Sequence, residues 1–579
     1  MEVPSALRAL RNLRYLTLAN NGLTEVPVGA LIPFQNSLES LSLADNLLES
    51  VPAAALRGCT QLTSLNLDGN RLRNISDQDW VGWAGQLAHL LLRNNLLAAL
   101  PERMFQAAPN IRKLSLSFNR LRYFTSQSLA DLASSLVSFE ASFAVQGREF
   151  PYELVQPLAS LRWLVLDNNG FQKIGNNALY TMSELEYVNF ESNRIRSLPT
   201  TLFHKDFHKK LNDVRLSYNE IGRLERETFS GLESLHTVVL MGNKISAVDN
   251  LAFNNLDRLI TVTLDSNRIS ELGAPAFHGL PNLLQLDLQN NRLRDFSLKT
   301  FFNVSNEGMP LTLNLSSNEI NALYPYPTGA SLYVKTLDLR HNRLIEVPGG
   351  FLQGVSLSLR HLDLSFNAIE RLDGGAFSTL DQLQVLNLRG NAIRQLDERS
   401  LEGVSGVQIL DLSRNSVGQL PATLLRRLTA LRHLTLAYNR LETLPQPLLQ
   451  NAPLESLDLS GNRLRVLPSA ALAAVGSSLA RLDLSGNRLD QLDGVMFARL
   501  PRLSRLSLAH NRLSVLPDTV FLSLPLLLSL DLSDNPLRTN YKELFHYLQQ
   551  LQVREAVTHR LIITAVLNSS VLIANTHNS

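Results

Sequence analysis

Aspartates recur at one fixed place in the sequence, between the two leucines of a Leu-x-Leu segment. Leucines two residues apart lie on one face of a strand, so the residue between them faces the other way. Carboxylates on adjacent strands would stand about 4.8 Å apart, and calcium takes several carboxylate oxygens. The alternative is a water-screened acidic row, partly balanced by Arg340 and Arg389, in which Asp simply suits the motif. The row comprises Asp287, Asp338, Asp363, Asp411, Asp458, Asp483 and Asp531.

Other residues that could carry chemistry are sparse. His204 and His208 are four residues apart, so they could share a metal ion if helical, but no further ligand is evident and a solvated loop is the better interpretation. The sequence has no phosphate-binding loop, no Gly-x-Ser-x-Gly elbow and no Cys/His cluster. We therefore predict a protein that is not an enzyme and that needs no metal and no cofactor.

A short repeated segment sets these positions. Residues 457–462 read Leu-Asp-Leu-Ser-Gly-Asn, and residues 482–487 repeat them unchanged. The leucines predict a short strand with one apolar face. The Asn ends the strand, and its amide has donors and acceptors for the backbone of the following turn. One such segment cannot bury its leucines alone, whereas a stack of them can.

The segment recurs nearly from end to end, mostly in steps of 24 or 25 residues. Twenty-one repeats keep the Asn, and a degenerate one near 139–144 has Phe139 and Ala141 as its leucines and Ala144 as its Asn. We predict an α/β-type repeat solenoid of about 22 repeats over residues 1–537. Its curved horseshoe would have a parallel β-sheet on the concave face and irregular or short helical segments on the convex face. Residues 538–579 would form a helix, at 541–551, and a poorly determined tail.

Two further residue types keep the same period. A Phe lies ten residues after the Asn, as at Phe229, Phe253 and Phe277, which predicts a buried column of stacked rings. Cys59 takes the place of a leucine and should be a buried, inert thiol. An Arg directly follows the Asn in many repeats, and we interpret these side chains as a solvated edge. They are Arg71, Arg120, Arg194, Arg268, Arg292, Arg343, Arg440, Arg463, Arg488 and Arg512.

Composition and hydropathy argue against nucleic acid as a partner, against an intramolecular disulfide and against a membrane-spanning helix. The chain has 54 Lys and Arg against 52 Asp and Glu. It therefore has no overall basic field, and nucleic acid is not an expected partner. The single cysteine excludes an intramolecular disulfide. The first residues lack the apolar core of a signal peptide, and no run of 18 apolar residues predicts a membrane-spanning helix. We expect membrane attachment only through an anchor absent from this sequence.

An apolar set in the N-terminal half occupies outward strand positions where most repeats have Ser, Thr or Asp. Trp163 and Tyr187 take the same place in successive repeats and could touch. Exposed aromatic side chains of this kind are favoured binding anchors, although scattered apolar residues are an equally simple interpretation. The predicted partner-binding residues on the concave face are Trp163, Val165, Tyr187, Val239 and Met241.

Asn-x-Ser/Thr acceptors for N-glycosylation occur at Asn74, Asn303, Asn314 and Asn568. Asn314 lies between two strand leucines, so a glycan there would occupy the concave face. Some chance matches are expected in a chain this rich in Asn.

Repeats that read Leu-x-x-Leu-x-Leu-x-x-Asn with a downstream Phe resemble the typical leucine-rich repeats of animal cell-surface proteins, over residues 7–537. Because no cysteines follow the last motif, at Asn535, the chain is most similar to the chaoptin-type adhesion proteins of arthropod photoreceptors. That resemblance implies a membrane-associated glycoprotein at the cell surface or outside the cell. Such a protein would act in adhesion by binding a protein partner, which could be a second copy.

Two alternatives stay open. Toll-like receptor ectodomains share these repeats, which implies ligand binding instead of adhesion. An intracellular scaffold would suit the lone cysteine and the missing signal peptide. The chain is also shorter than chaoptin and has no capping modules, as expected of a fragment.

Overall fold

The computed structural model describes residues 10–326 and 331–538, together with two strands at Ile562–Leu567 and Ser570–Ala574. The chain divides into two compact units. Unit 1 runs to Asp287 and includes Thr300–Ser305, and unit 2 comprises Leu288–Lys299 and the residues from Asn306 onward. Both units are built from the same repeat.

The main sheet of unit 1 is parallel and in register, with one short strand for each repeat. In most strands a buried leucine or valine lies between two more exposed residues, as in Ser64–Asn66. The twelve strands among the described residues include one from the degenerate repeat. They are Tyr15–Thr17, Ser40–Ser42, Ser64–Asn66, His89–Leu91, Lys113–Ser115, Ser138–Glu140, Trp163–Val165, Tyr187–Asn189, Asp213–Arg215, Thr237–Val239, Thr261–Thr263 and Gln285–Asp287.

Unit 2 has the same parallel arrangement, with ten repeat strands in its described part. They are Leu311–Asn314, Val334–Asp338, His361–Asp363, Val385–Asn387, Ile409–Asp411, His433–Thr435, Ser456–Asp458, Arg481–Asp483, Arg505–Ser507 and Ser529–Asp531. Ile562–Leu567 then pairs in parallel with the last of these, and Ser570–Ala574 pairs antiparallel with Ile562–Leu567. Two strands therefore occupy part of the predicted tail, whereas the helix predicted at 541–551 lies outside the described residues.

Smaller parallel sheets run along the segments between the main strands. In unit 1 they comprise Arg223–Leu224, Ala247–Val248 and Glu271–Leu272, and separately Phe229–Ser230, Phe253–Asn254, Phe277–Leu280 and Phe301–Val304. In unit 2 Asp295–Ser297 pairs with Ala322–Tyr324. Irregular or short helical segments were predicted here from the sequence. The exact 24-residue period around Phe229 lets the connecting backbones pair as well.

Helix in the described part of the chain is limited to single turns. The four α-helical turns in the described chain are Ala53–Leu56, Tyr152–Val155, Gly349–Gln353 and Ser469–Ala473. The 3₁₀ turns are Ile32–Phe34, Asp77–Trp80, Ala84–Gln86, Ala130–Leu132 and Leu298–Thr300. The predicted fold class, a parallel β-solenoid with little helix, is confirmed.

The core contains the residues that the repeat pattern places there. Phe229, Phe253 and Phe277 are fully buried, and their rings stack with centroids 5.3 Å apart. Cys59 is fully buried, and burial raises the pKa of its thiol to about 11, so the thiolate that would react is scarce at neutral pH. The predicted phenylalanine column and inert cysteine are therefore confirmed.

The motif asparagines bind backbone across neighbouring repeats. The Asn462 Nδ2 donates to the carbonyl oxygens of Leu436 (2.9 Å), Leu459 (3.0 Å) and Ser460 (3.2 Å). Its Oδ1 accepts the N–H of Leu441 at 3.0 Å. This side chain satisfies buried turn groups that have no strand partner.

Candidate recognition surface

The face of each main sheet opposite the buried leucines, here called the open face, contains the predicted binding residues. Trp163 and Tyr187 are direct register partners on neighbouring strands. Trp163 is 51% exposed, and Tyr187 is half-buried. Their rings do not stack on each other in the described structure. The Arg215 guanidinium instead lies 5.6 Å from the centroid of the Tyr187 ring, a cation–π distance. Burial raises the pKa of the Tyr187 hydroxyl.

Both rings line an open depression of about 550 Å³, here called the aromatic depression, with Lys210, His236 and Arg258 also in its lining. Lys210 pairs with Glu184 at 2.6 Å, so its charge is balanced. Arg258 is exposed and forms no ion pair with any described residue. The depression therefore combines two aromatic rings with one uncompensated cation.

The other predicted residues form a separate group. Val239 and Met241 are half-buried, and the Met241 sulfur lies 4.0 Å from the Tyr218 hydroxyl. Between this group and Trp163 and Tyr187 runs the strand Asp213–Arg215, whose ends form an ion pair at 3.2 Å. Val165, half-buried, stays beside Trp163. The predicted apolar set is thus two groups divided by a charged strand.

The aspartates of the acidic row hydrogen-bond the turns that follow their strands. One Oδ1 of Asp458 accepts the backbone N–H of Ser460 at 2.9 Å, and Asp483 holds Ser485 in the same way at 2.8 Å. Equivalent bonds fix the turns after Asp338, Asp363, Asp411 and Asp531. No group of three or more His, Cys, Asp or Glu suited to a metal ion occurs in the part of the chain that the structure describes. Turn formation therefore explains why Asp recurs here.

The pair His204 and His208 differs from the predicted solvated loop. His208 is fully buried. Its Nδ1 accepts the backbone N–H of His204 at 2.9 Å, which leaves the Nε2–H to donate to the carbonyl oxygen of Leu179 at 2.9 Å. Burial lowers the pKa of His208. Both ring nitrogens are used within the protein, so His208 is a structural residue.

A set of exposed rings that was not predicted from the sequence occupies the turn residue directly before the position of the motif Asn. Phe118 and Phe143 stack at 5.1 Å with an interplanar angle of 15°, and Arg93 lies 5.9 Å from the Phe118 centroid. The whole set has positive φ, a region that bulky residues avoid. We call these rings the edge aromatics: Phe118, Phe143, Tyr218, Phe366 and Tyr438.

A glycine one repeat later makes room for three of these rings. A Cβ on Gly461 would lie 2.7 Å from the Tyr438 Cδ1, and Gly242 and Gly390 have the same relation to Tyr218 and Phe366. An aromatic residue followed one period later by glycine is the sequence signal that could have revealed the set.

Three of the four glycosylation acceptors have different environments, and the fourth, Asn568, lies outside the described residues. Asn74 and Asn303 are exposed. Asn314 is half-buried, its Nδ2 donates to the Gln289 Oε1 at 3.0 Å, and the hydroxyl-bearing Ser316 of its acceptor sequence is fully buried. A glycan on Asn314 would compete with these contacts.

Comparison with known proteins identifies the repeat. The family model described as "Leucine rich repeat" matches residues 7–72, 209–269, 257–306, 333–393, 381–441, 452–513 and 501–553. This chain belongs to the leucine-rich repeat family. The match is to a repeat family and not to a catalytic one, and protein–protein recognition is consistent with such repeats.

More specific relatives share part of the sequence or only the fold. Tsukushi of Danio rerio is 34% identical over 82 residues, which cover 14% of this leucine-rich repeat chain and 22% of Tsukushi. A chain in the glycosylated Toll–Spatzle complex of Drosophila has a TM-score of 0.60 at 22% identity, covering 98% of this chain and 83% of that one. A second structure of that complex gives 0.50 at 20% identity, covering 92% and 82%. Among the described residues, no helix has the length and apolarity needed to span a bilayer.

Proposed function

We propose that this protein recognises another protein through the open face of unit 1, outside the cell, in cell adhesion of the chaoptin type. The observation that carries the proposal is the in-register pair Trp163 and Tyr187 in the aromatic depression. A half-exposed Trp beside an uncompensated Arg258 leaves apolar surface and one positive charge for a partner to cover. Large aromatic side chains contribute most to such contacts because they bury much area with few rotatable bonds.

The setting outside the cell has its own support. The repeats resemble those of animal cell-surface proteins, and the acceptors Asn74 and Asn303 are exposed to glycosylation. The partner could be a second copy of this chain, as homophilic adhesion requires. The alternative function is a ligand-binding ectodomain, since the Toll–Spatzle complex pairs a protein of this fold with another protein.

A cell-mixing experiment tests the proposal. The chain is displayed on cells through an added leader and anchor, and labelled cells are mixed with displaying cells and with bare cells. Trp163→Ser combined with Tyr187→Ser should weaken adhesion by about 2 kcal/mol or more, the usual loss at a binding hot spot. Folding should be intact because neither residue is in the core.

The matched control is Tyr15→Ser with Ile409→Ser. Both residues are exposed and begin their strands as Trp163 and Tyr187 do, but they lie outside the aromatic depression. This variant should adhere like the wild type. Full adhesion by the folded Trp163/Tyr187 variant would refute the proposed site. Adhesion to bare cells alone would exclude a second copy as the partner, and failure of any displaying cell to adhere would favour the ectodomain function.

A further inference from the structure

Arginines occupy the same position in four consecutive repeats of unit 2. We call Arg440, Arg463, Arg488 and Arg512 the arginine column. The backbone N–H of each of the last three arginines donates to the carbonyl oxygen of the leucine that follows the preceding repeat's Asn by two residues. These bonds join Arg463 to Leu441 (2.9 Å), Arg488 to Leu464 (2.9 Å) and Arg512 to Leu489 (2.8 Å). The identical bonding places successive arginines in register, roughly 5 Å apart.

The column has no internal charge partner. None of the four guanidinium groups forms an ion pair or a cation–π contact with the residues that the structure places. Arg488 is half-buried and the other three are exposed. Two residues further along each turn the chain has Glu442, Arg465, Asp490 and Ser514. These positions have five arginines against two carboxylates, and a third carboxylate, Asp534, lies beside them 3.2 Å from His510, whereas the whole chain is nearly neutral.

The floor beside the column has glycine at its two central positions. Two residues before each arginine the chain has Tyr438, Gly461, Gly486 and His510. The Tyr438 ring lies against Gly461, where a Cβ would come within 2.7 Å of it, and it remains 58% exposed. Gly461 and Gly486 project no side chain. An extended molecule could thus lie along this edge with its anionic groups facing the arginines.

We propose that the arginine column and its floor bind a linear sulfated polysaccharide. Guanidinium groups bind tetrahedral oxyanions through paired hydrogen bonds and keep their charge at any physiological pH. A polymer with repeated sulfates can engage all four at once, which multiplies weak single contacts. Single-stranded nucleic acid fits less well, because it needs aromatic platforms for successive bases and the floor has glycine at two of the four positions.

Binding to immobilised heparin at two salt concentrations tests the inference. The variant is R440Q/R463Q/R488Q/R512Q, and the control is R71Q/R120Q/R194Q/R268Q. The control removes the same charge at the same repeat position in unit 1, but from repeats that are not adjacent. We expect the column variant to lose roughly a hundredfold in affinity, about 0.7 kcal/mol for each exposed pair, and to show a weaker salt dependence. The control should bind nearly as tightly as the wild type.

Three results would overturn the inference. One is a wild-type protein that immobilised heparin does not retain at physiological salt, and another is a control that loses as much affinity as the column variant, which would indicate general charge attraction. Single-stranded DNA of equal charge could compete as well as heparin, which would make the edge a site for any polyanion. Equal thermal unfolding of all three proteins shows that each comparison is between folded chains. The inference is independent of the aromatic depression, since the two surfaces belong to different units.

Discussion

Asn462 and Asp458 hydrogen-bond the same turn but differ in access to water. Asn462 is buried, and of the four backbone groups that its amide meets, the buried N–H of Leu441 has no other partner among the described residues. Asp458 is half-buried, so water can replace its single bond to Ser460. A buried group left without a partner costs far more than a bond exchanged for one with water.

Replacing Asn462 with Leu should therefore lower the free energy of unfolding by about 1–3 kcal/mol, the cost of leaving the buried Leu441 N–H unsatisfied. Replacing Asp458 with Ser should cost about 0.5–1.5 kcal/mol, the value of one ordinary hydrogen bond. Urea unfolding of the two variants and the wild type measures both. Equal losses would mean that the turn is solvated and that the asparagine is not its main support.

The roles of some single residues could be predicted from the sequence, and those of others could not. The role of Asn462 follows from the motif, because an amide after a buried strand must satisfy the turn. The role of Asp458 does not, since it depends on the direction of the N–H two residues later. The exposure of Phe118 and Phe143 depends on a positive φ. Asn and Gly at the same position of other repeats indicate such a φ, whereas an aromatic residue there does not. Trp163 and Tyr187 were placed as neighbours correctly, whereas their binding role stays a prediction.

At the scale of elements, the period predicted the main strands and the phenylalanine column, because both repeat in every turn. The connecting segments were harder to predict. Their small sheets need equal segment lengths in successive repeats, which occurs around Phe229 to Phe301. The turn at 204–208 looked solvated from its charges, but His208 folds inward and bridges to Leu179 in the preceding repeat.

That buried histidine makes unit 1 sensitive to acid. Only neutral His208 can accept at Nδ1 and donate at Nε2, and burial places its folded pKa below the unfolded value of about 6.5. Its stabilising contribution is complete above the unfolded pKa and is lost as the pH falls toward the folded pKa.

We expect urea unfolding at pH 5 to show a lower free energy of unfolding than at pH 7. His208→Gln should reduce that difference, while His89→Gln, on an exposed residue, should leave it unchanged. An unaltered pH dependence in His208→Gln would show that other groups cause it.

At the scale of the whole molecule, the units present different surfaces. Unit 1 has the aromatic depression, and unit 2 has the arginine column. The sequence revealed the arginines but not their lack of partners, which depends on where every nearby carboxylate lies. It likewise gave four equal glycan acceptors, although Asn74 and Asn303 are exposed and Asn314 is half-buried among the three that the structure describes.

Secretion from animal cells behind an added leader should therefore glycosylate Asn74 and Asn303 but not Asn314. Asn74→Gln and Asn303→Gln should each remove one glycosidase-sensitive step in gel mobility. Asn314→Gln should remove none, because in the folded protein the Asn314 amide is hydrogen-bonded to Gln289 and Ser316 of the same glycosylation sequence is buried. A mobility step lost in Asn314→Gln would show that modification precedes these contacts.

The asparagines also give the repeat a direction. The Asn487 side chain reaches backward, accepting the Leu464 N–H at 3.1 Å and donating to the Leu459 carbonyl at 2.9 Å. A turn is thus completed by the repeat that follows it in the chain. On the ribosome that repeat emerges later, so a growing solenoid always has one unfinished turn at its newest end. With 24 or 25 residues per repeat and about 5–20 residues made each second, the folding front should advance one repeat at a time, roughly every one to five seconds.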